Sequence, residues 1–298
     1  MSAAVAPTDR DGHPLVLLTV HAHPDDEASK GAGSVARYAA EGIGAVLVCC
    51  TGGEVGEILN PAMDTDEVRA DLPGVRAREL DEAAAIIGYR EVVLLGYRDS
   101  GMPDTPANAD ARAFANAPLE EAVGRLVAVV RRVRPQVVVT YPADQRGYPH
   151  PDHLRVHEIT GPAVEAAADP DAYAHLGPPW AVSKIYETAW TRRRFEASHA
   201  KFLELGLESP YDETWLSRPS QDEAVTTVVD TSVVADVRRR ALLAHATQVD
   251  PGSRFWFGLP PDVADQVYPY DEYVLAWSHR PAELPEDDLF AGVRAARP

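Results

Sequence analysis

Through the first two thirds of the chain, apolar residues come in short unbroken runs. Each run is followed by a longer stretch in which apolar residues recur every three or four positions. The runs LVLLTV, AVLVCC, VVLL and VVVT lack the alternation of a half-exposed strand, so they predict strands buried on both faces. We place strands at Pro14–Val20, Gly44–Thr51, Glu91–Gly96, Gln136–Tyr141 and Lys184–Trp190. The helical period runs through Ala28–Glu41, Val75–Gly88, Pro118–Val133 and Asp152–Ala168. Strands alternating with helices build right-handed βαβ units. The expected class is therefore α/β, a Rossmann-like, mostly parallel sheet with helices on both faces.

After residue 190 the pattern loosens. Helices are expected at Arg192–Leu205 and Val233–Thr247, with a short strand near Val225–Val229 and a proline- and aromatic-rich tail from Pro251. This reads as a catalytic core over residues 1–190 and a smaller C-terminal appendage over 191–298 that walls a pocket.

Charge narrows the partners. The 298 residues carry 46 acids against 28 bases, a formal net charge of −18. Nucleic acid and anionic membrane surfaces need clustered Lys and Arg, so neither is expected. No stretch approaches the roughly 20 apolar residues of a membrane span. Cys49 and Cys50 are adjacent in a strand and face opposite ways, so they read as buried free thiols of a reducing compartment. A cytoplasmic protein is expected, with a homo-oligomer left open.

In open parallel sheets ligands sit beyond the carboxyl ends of the strands. Immediately after the first strand stands HAHPDDEASK, where three adjacent acids repel one another unless something positive lies among them. A second His-Pro-Asp occurs in GYPHPDH, at the entrance to the helix after the fourth strand. His23 and Asp26, like His150 and His153, are three positions apart and share one side of a turn. One helix end does not explain acids and histidines facing each other from two loops, whereas a divalent cation does. Mixed imidazole and carboxylate ligands suit zinc, and a hydrolytic zinc site keeps three protein ligands and a water.

These stretches resemble the zinc-dependent de-N-acetylases of the LmbE-like (PIG-L) family. Within it the chain is most similar to the branch that acts on mycothiol S-conjugates and on their acetylated glucosaminyl-inositol precursor. HAHPDDEASKGA, TGGEVGEILNPAMD, GYRDSGMP, GYPHPDH and RRALLAHATQVDP carry the resemblance. It implies one zinc ion per chain held by His23, Asp26 and His153, although another divalent metal could fill such a site. It also implies Asp25 as general base, His150 as general acid, Tyr148 as carbonyl polariser and Asp152 as a carboxylate orienting an active-site histidine. Arg76 and Asp99 fall where the family grips sugar or inositol hydroxyls. Lys30 and His245 are expected to touch substrate. The implied reaction is hydrolysis of an amide in a small thiol-sugar conjugate, with de-N-acetylation of the precursor or of a natural-product sugar as the alternative.

Two other readings carry less. GAGSVA at residues 31–36 fits a dinucleotide fingerprint, but ten residues separate it from its strand, and three of them are acids that would repel a pyrophosphate. A sugar-binding protein without catalysis would not need both Asp25 and His150.

Overall fold

The computed structural model describes residues 6–144 and 148–295. Among these, seven strands form one sheet: β1 (Val16–His21), β2 (Gly44–Thr51), β3 (Glu91–Tyr97), β4 (Val137–Thr140), β5 (Lys184–Thr188), β6 (Thr227–Asp230) and β7 (Tyr270–Ser278). Their order is β3-β2-β1-β4-β5-β7-β6. The first five strands run parallel, and β7 pairs antiparallel with both β5 and β6.

Helices α1 (Asp26–Ser29), α2 (Ala32–Ala40), α3 (Asp66–Ala70), α4 (Leu72–Ile87), α5 (Leu119–Val133) and α6 (Pro151–Ala168) lie between the parallel strands. They are followed by α7 (Arg192–Glu204), α8 (Glu213–Leu216), α9 (Ala235–Ala244), α10 (Arg254–Phe257) and α11 (Pro261–Val267). Strand residues divide between two cores. Val16, Leu18 and Val20 meet α5 and α6 on one face, while Leu17, Ala45, Val137 and Val139 meet α2, α4 and α9 on the other. Helices thus cover both faces, as doubly buried strands require. Cys49 and Cys50 fall in different clusters and are free. Among the described residues no helix is long and apolar enough to cross a membrane.

Three expectations change. The strand VVLL is not buried on both faces: β3 forms the sheet edge, and Leu94 is 55% exposed. The helix expected from Ala28 to Glu41 breaks at Gly31, whose φ of 88° is left-handed. A Cβ there would stand 2.8 Å from the Tyr273 hydroxyl, so β7 presses on this turn and only glycine fits. The tail beyond Pro251 contributes β7, which lies inside the sheet between β5 and β6. Its sequence, YDEYVLAWS, mixes polar and apolar residues and hides the strand.

The remaining C-terminal helices gather an aromatic core of their own. Phe202, Tyr211 and Leu259 are buried there, and Phe195, Trp215 and Phe255 pack against them.

Candidate metal centre

The sheet order explains why two distant His-Pro-Asp turns meet. From β1 the chain winds outward through β2 to β3, then returns to place β4 on the other side of β1. The crevice at such a reversal opens at the carboxyl ends of those two central strands. His23–Asp26 leave β1, and His150–His153 open α6 after β4, so both motifs line that crevice.

Asp26 lies at the centre of the group. Its Oδ2 stands 3.4 Å from His23 Nδ1 and 3.4 Å from His153 Nε2. Neighbouring ligand atoms around a tetrahedral zinc at about 2.0–2.2 Å are separated by about 3.3–3.6 Å. Buried His153 Nε2 has no hydrogen-bond partner among the described residues, an orphan that asks for an occupant. His23, Asp26 and His153 together satisfy the proximity a bound ion needs. Burial opposes charge on His23, yet contacts with Asp152, Asp26 and Asp99 raise its pKa well above the ordinary value. A pocket that draws a proton onto an imidazole also draws a cation. The donor set therefore fits a metal ion.

A second grouping of His23, Asp99, His150 and Asp152 shares one imidazole with the first. Here the polar atoms are already engaged. Asp152 Oδ2 accepts from Ser100 N–H at 2.9 Å and stands 3.1 Å from His23 Nε2, and Ser100 Oγ donates to Asp152 Oδ1. With Nε2 bonded in this way, His23 turns Nδ1 toward Asp26. Asp99 lies 3.6 Å from His23 Nε2 and lines the cavity.

Asp25 has a φ of 107°, a left-handed conformation costing a non-glycine residue about 1–3 kcal/mol. Burial, together with the Asp26 charge, raises its pKa to about 6 against the pull of Arg76 and His245. His150 caps α6, and its Nδ1 accepts the Asp152 N–H at 3.2 Å, so a neutral ring carries its proton on Nε2. Burial, then repulsion from His23, lowers its pKa to about 4. The Tyr148 ring lies 5.8 Å from that of His150, on the cavity wall.

Two expected substrate contacts are already bonded within the protein. Lys30 lines the cavity, but its Nζ donates to Asp26 Oδ1 at 2.5 Å. Arg76 reaches the cavity, yet its terminal nitrogens donate to Gly53 O at 2.6 Å and Pro24 O at 2.7 Å. A third expectation is corrected: His245 is fully buried, does not line the cavity, and bonds Glu27 Oε1 at 2.6 Å.

The cavity over this centre measures about 590 Å³. Its outer wall is formed by Trp190, just past β5, and by Phe195, Trp215, Phe255 and Trp256 from the C-terminal region. The sequence leads one to expect a C-terminal wall, but neither its aromatic residues nor Glu27 stand out in it. The clusters WTRRRF, ETWL and RFWF were the available signal for the wall.

Comparison with known proteins follows the same lines. The N,N'-diacetylchitobiose deacetylase from Pyrococcus horikoshii superposes with a TM-score of 0.59 at 16% identity, covering 87% of this chain and 83% of that one, and it shows the shared fold. Residues 18–164 match the family model described as PIG-L, GlcNAc-PI de-N-acetylase. Mycothiol S-conjugate amidase of Streptomyces coelicolor is 44% identical over 94% of this chain and 98% of its own length. A 1D-myo-inositol 2-acetamido-2-deoxy-alpha-D-glucopyranoside deacetylase of Geodermatophilus obscurus is 43% identical over 93% and 97%. The matched motifs, the sheet and the near full-length relatives agree, and the chain belongs to the PIG-L family of GlcNAc-PI de-N-acetylases.

Proposed function

We propose that the chain is a zinc-dependent amidase that releases an S-conjugated N-acetylcysteine from its glucosaminyl-inositol amide, as a mycothiol S-conjugate amidase does. The observation that carries this is the group of His23 Nδ1, Asp26 Oδ2 and His153 Nε2, with Asp25 beside it, on the floor of a cavity with an aromatic wall. Such a wall suits a bulky S-linked group, which an acetyl group would leave unfilled.

An ion held by His23, Asp26 and His153 would polarise the amide carbonyl and acidify a water. Asp25, adjacent in the chain to Asp26, accepts the proton of the attacking water. His150 serves as the acid only as the imidazolium: charged by the proton that Asp25 has taken, it passes one proton to the departing amine and returns to the neutral ring. Tyr148 donates its hydroxyl hydrogen to the carbonyl oxygen as charge develops there. Asp152 keeps His23 in the required tautomer. Asp99 accepts from substrate hydroxyls, and Lys30 holds the second oxygen of Asp26.

The alternative is de-N-acetylation of the glucosaminyl-inositol precursor, favoured by the relative of that name. Both readings require activity to vanish with a strong chelator and return with zinc; activity untouched by the chelator rejects them together. A panel of glucosaminyl-inositol amides separates them. The amidase reading expects kcat/KM at least about tenfold higher for S-conjugates than for the acetylated precursor. The reverse preference rejects it for the deacetylase.

A further inference from the structure

Glu27 and His245 have no part in the reaction as derived above, yet both are fully buried beneath the site. They stand 218 positions apart in sequence, and His245 follows the last turn of α9. A buried ion pair is weak evidence for stability, since apolar residues of like volume fill the same space as well. Its place in the fold suggests another use.

The second oxygen of Glu27, Oε2, accepts the backbone N–H of Asp25 at 3.0 Å. The carbonyl at the other end of that same peptide, Pro24 O, accepts from Arg76 at 2.7 Å. The peptide plane between Pro24 and Asp25 is thus gripped at both edges by buried charged groups. Rotation of that plane changes the φ of Asp25, which stands at 107°, where a residue with a side chain rarely remains unless held. His245 Nδ1 has no partner among the described residues, so the ring's one polar contact is with Glu27.

We infer that Glu27, anchored by His245, is a positioning residue that locks the Pro24–Asp25 peptide and so aims the Asp25 carboxylate beside the metal ligands. The inference rests on the reading of Asp25 as the base. A carboxylate pinned by a buried ring N–H is a better fixed acceptor for a backbone N–H than a free one. Misplacement of a reacting group by about 1 Å can cost on the order of 10²-fold in rate.

The test uses the full-length zinc-loaded enzyme. Glu27→Ala is expected to lower kcat by about 10- to 100-fold, with KM within about twofold and bound zinc unchanged. Glu27→Gln keeps an oxygen for the Asp25 N–H and should recover most of that loss. His245→Gln should speed hydrogen exchange of the Asp25 amide, and the His245→Ala/Glu27→Ala double variant should be no slower than Glu27→Ala alone. A normal kcat in Glu27→Ala, loss of its zinc, or unchanged Asp25 exchange in His245→Gln would each overturn the inference. Asp25→Asn separates the two claims. Full activity there removes the base assignment itself, whereas an inactive Asp25→Asn beside an unimpaired Glu27→Ala removes the positioning role alone.

Discussion

His23 and Asp152 meet across 129 positions of sequence, with His23 Nε2 3.1 Å from an Asp152 oxygen that also accepts the Ser100 N–H. The contact leaves His23 only its Nδ1 for Asp26 and any shared ion. Replacing Asp152 with Ala frees the imidazole to rotate and takes the acceptor from both the Ser100 N–H and its hydroxyl hydrogen. We expect Asp152→Ala to weaken zinc binding by about 10- to 100-fold. Competition with a fluorescent chelator measures this, and an affinity within twofold of the parent removes Asp152 from the support of the metal.

Much of the architecture was legible because burial on both faces writes itself into sequence. The strands β1, β2, β4 and β5 begin or end within a few residues of their apolar runs. The same logic located β3 but misjudged its burial: VVLL is as apolar as its neighbours, yet it is the last strand of the sheet and exposes Leu94. Edge position depends on strand order, which local composition does not record. The helix break at Gly31 was unreadable for a related reason, since the group that demands a glycine is Tyr273, far along the chain.

The site shows the same division. His23, Asp26 and His153 announce themselves because each lies in a short motif with metal-ligand chemistry, and the resemblance to the family reinforces them. Glu27 looked like one acid among three, and His245 like a pocket residue. Their pairing exists only once α9 lies against α1, which no spacing in the sequence encodes.

The aromatic wall yields a prediction about selectivity. Trp215 lines the cavity, with its ring 5.3 Å from that of Phe255 and Arg218 stacked 3.9 Å from it. Trp215→Ala is expected to lower kcat/KM for conjugates with aromatic S-groups by about tenfold or more, while small S-methyl conjugates change by less than about threefold. An equal loss across the series would show that Trp215 supports the fold of the cap and does not read the substrate.

Stability of the C-terminal region can be tested at a buried charged cluster. Glu286 bonds Lys184 on β5 through one oxygen and the Tyr186 hydroxyl at 2.5 Å through the other, with all three residues buried. Removing one partner strands a charge away from water. Glu286→Leu should therefore destabilise the protein by about 3–5 kcal/mol, whereas Lys184→Met/Glu286→Leu should recover most of that. Urea unfolding of the three proteins decides it; a double variant no better than the single one would mean the loss is packing and not charge.

Acid sensitivity is expected two residues beyond Glu286, where the tail closes over α2. Asp288 Oδ1 accepts the Tyr38 hydroxyl at 3.0 Å and the Phe290 N–H at 2.9 Å, and Arg294 Nε donates to Oδ2 at 2.7 Å. Burial pushes the Asp288 pKa up, but Arg294 and the Phe290 N–H outweigh it and hold the carboxylate below its ordinary value of 3.8. A depressed folded-state pKa contributes stability in full above the unfolded value and loses it as pH falls through the folded one. The clasp should then add on the order of 1 kcal/mol at neutral pH, discounted for the partial exposure of Arg294. Asp288→Asn isolates that contribution. The gap in unfolding free energy between parent and variant should stay constant from pH 7 to about 5 and shrink below about pH 4. A gap of the same size at pH 3 and pH 7 would show that the variant lost shape complementarity and that the Asp288 charge contributes nothing.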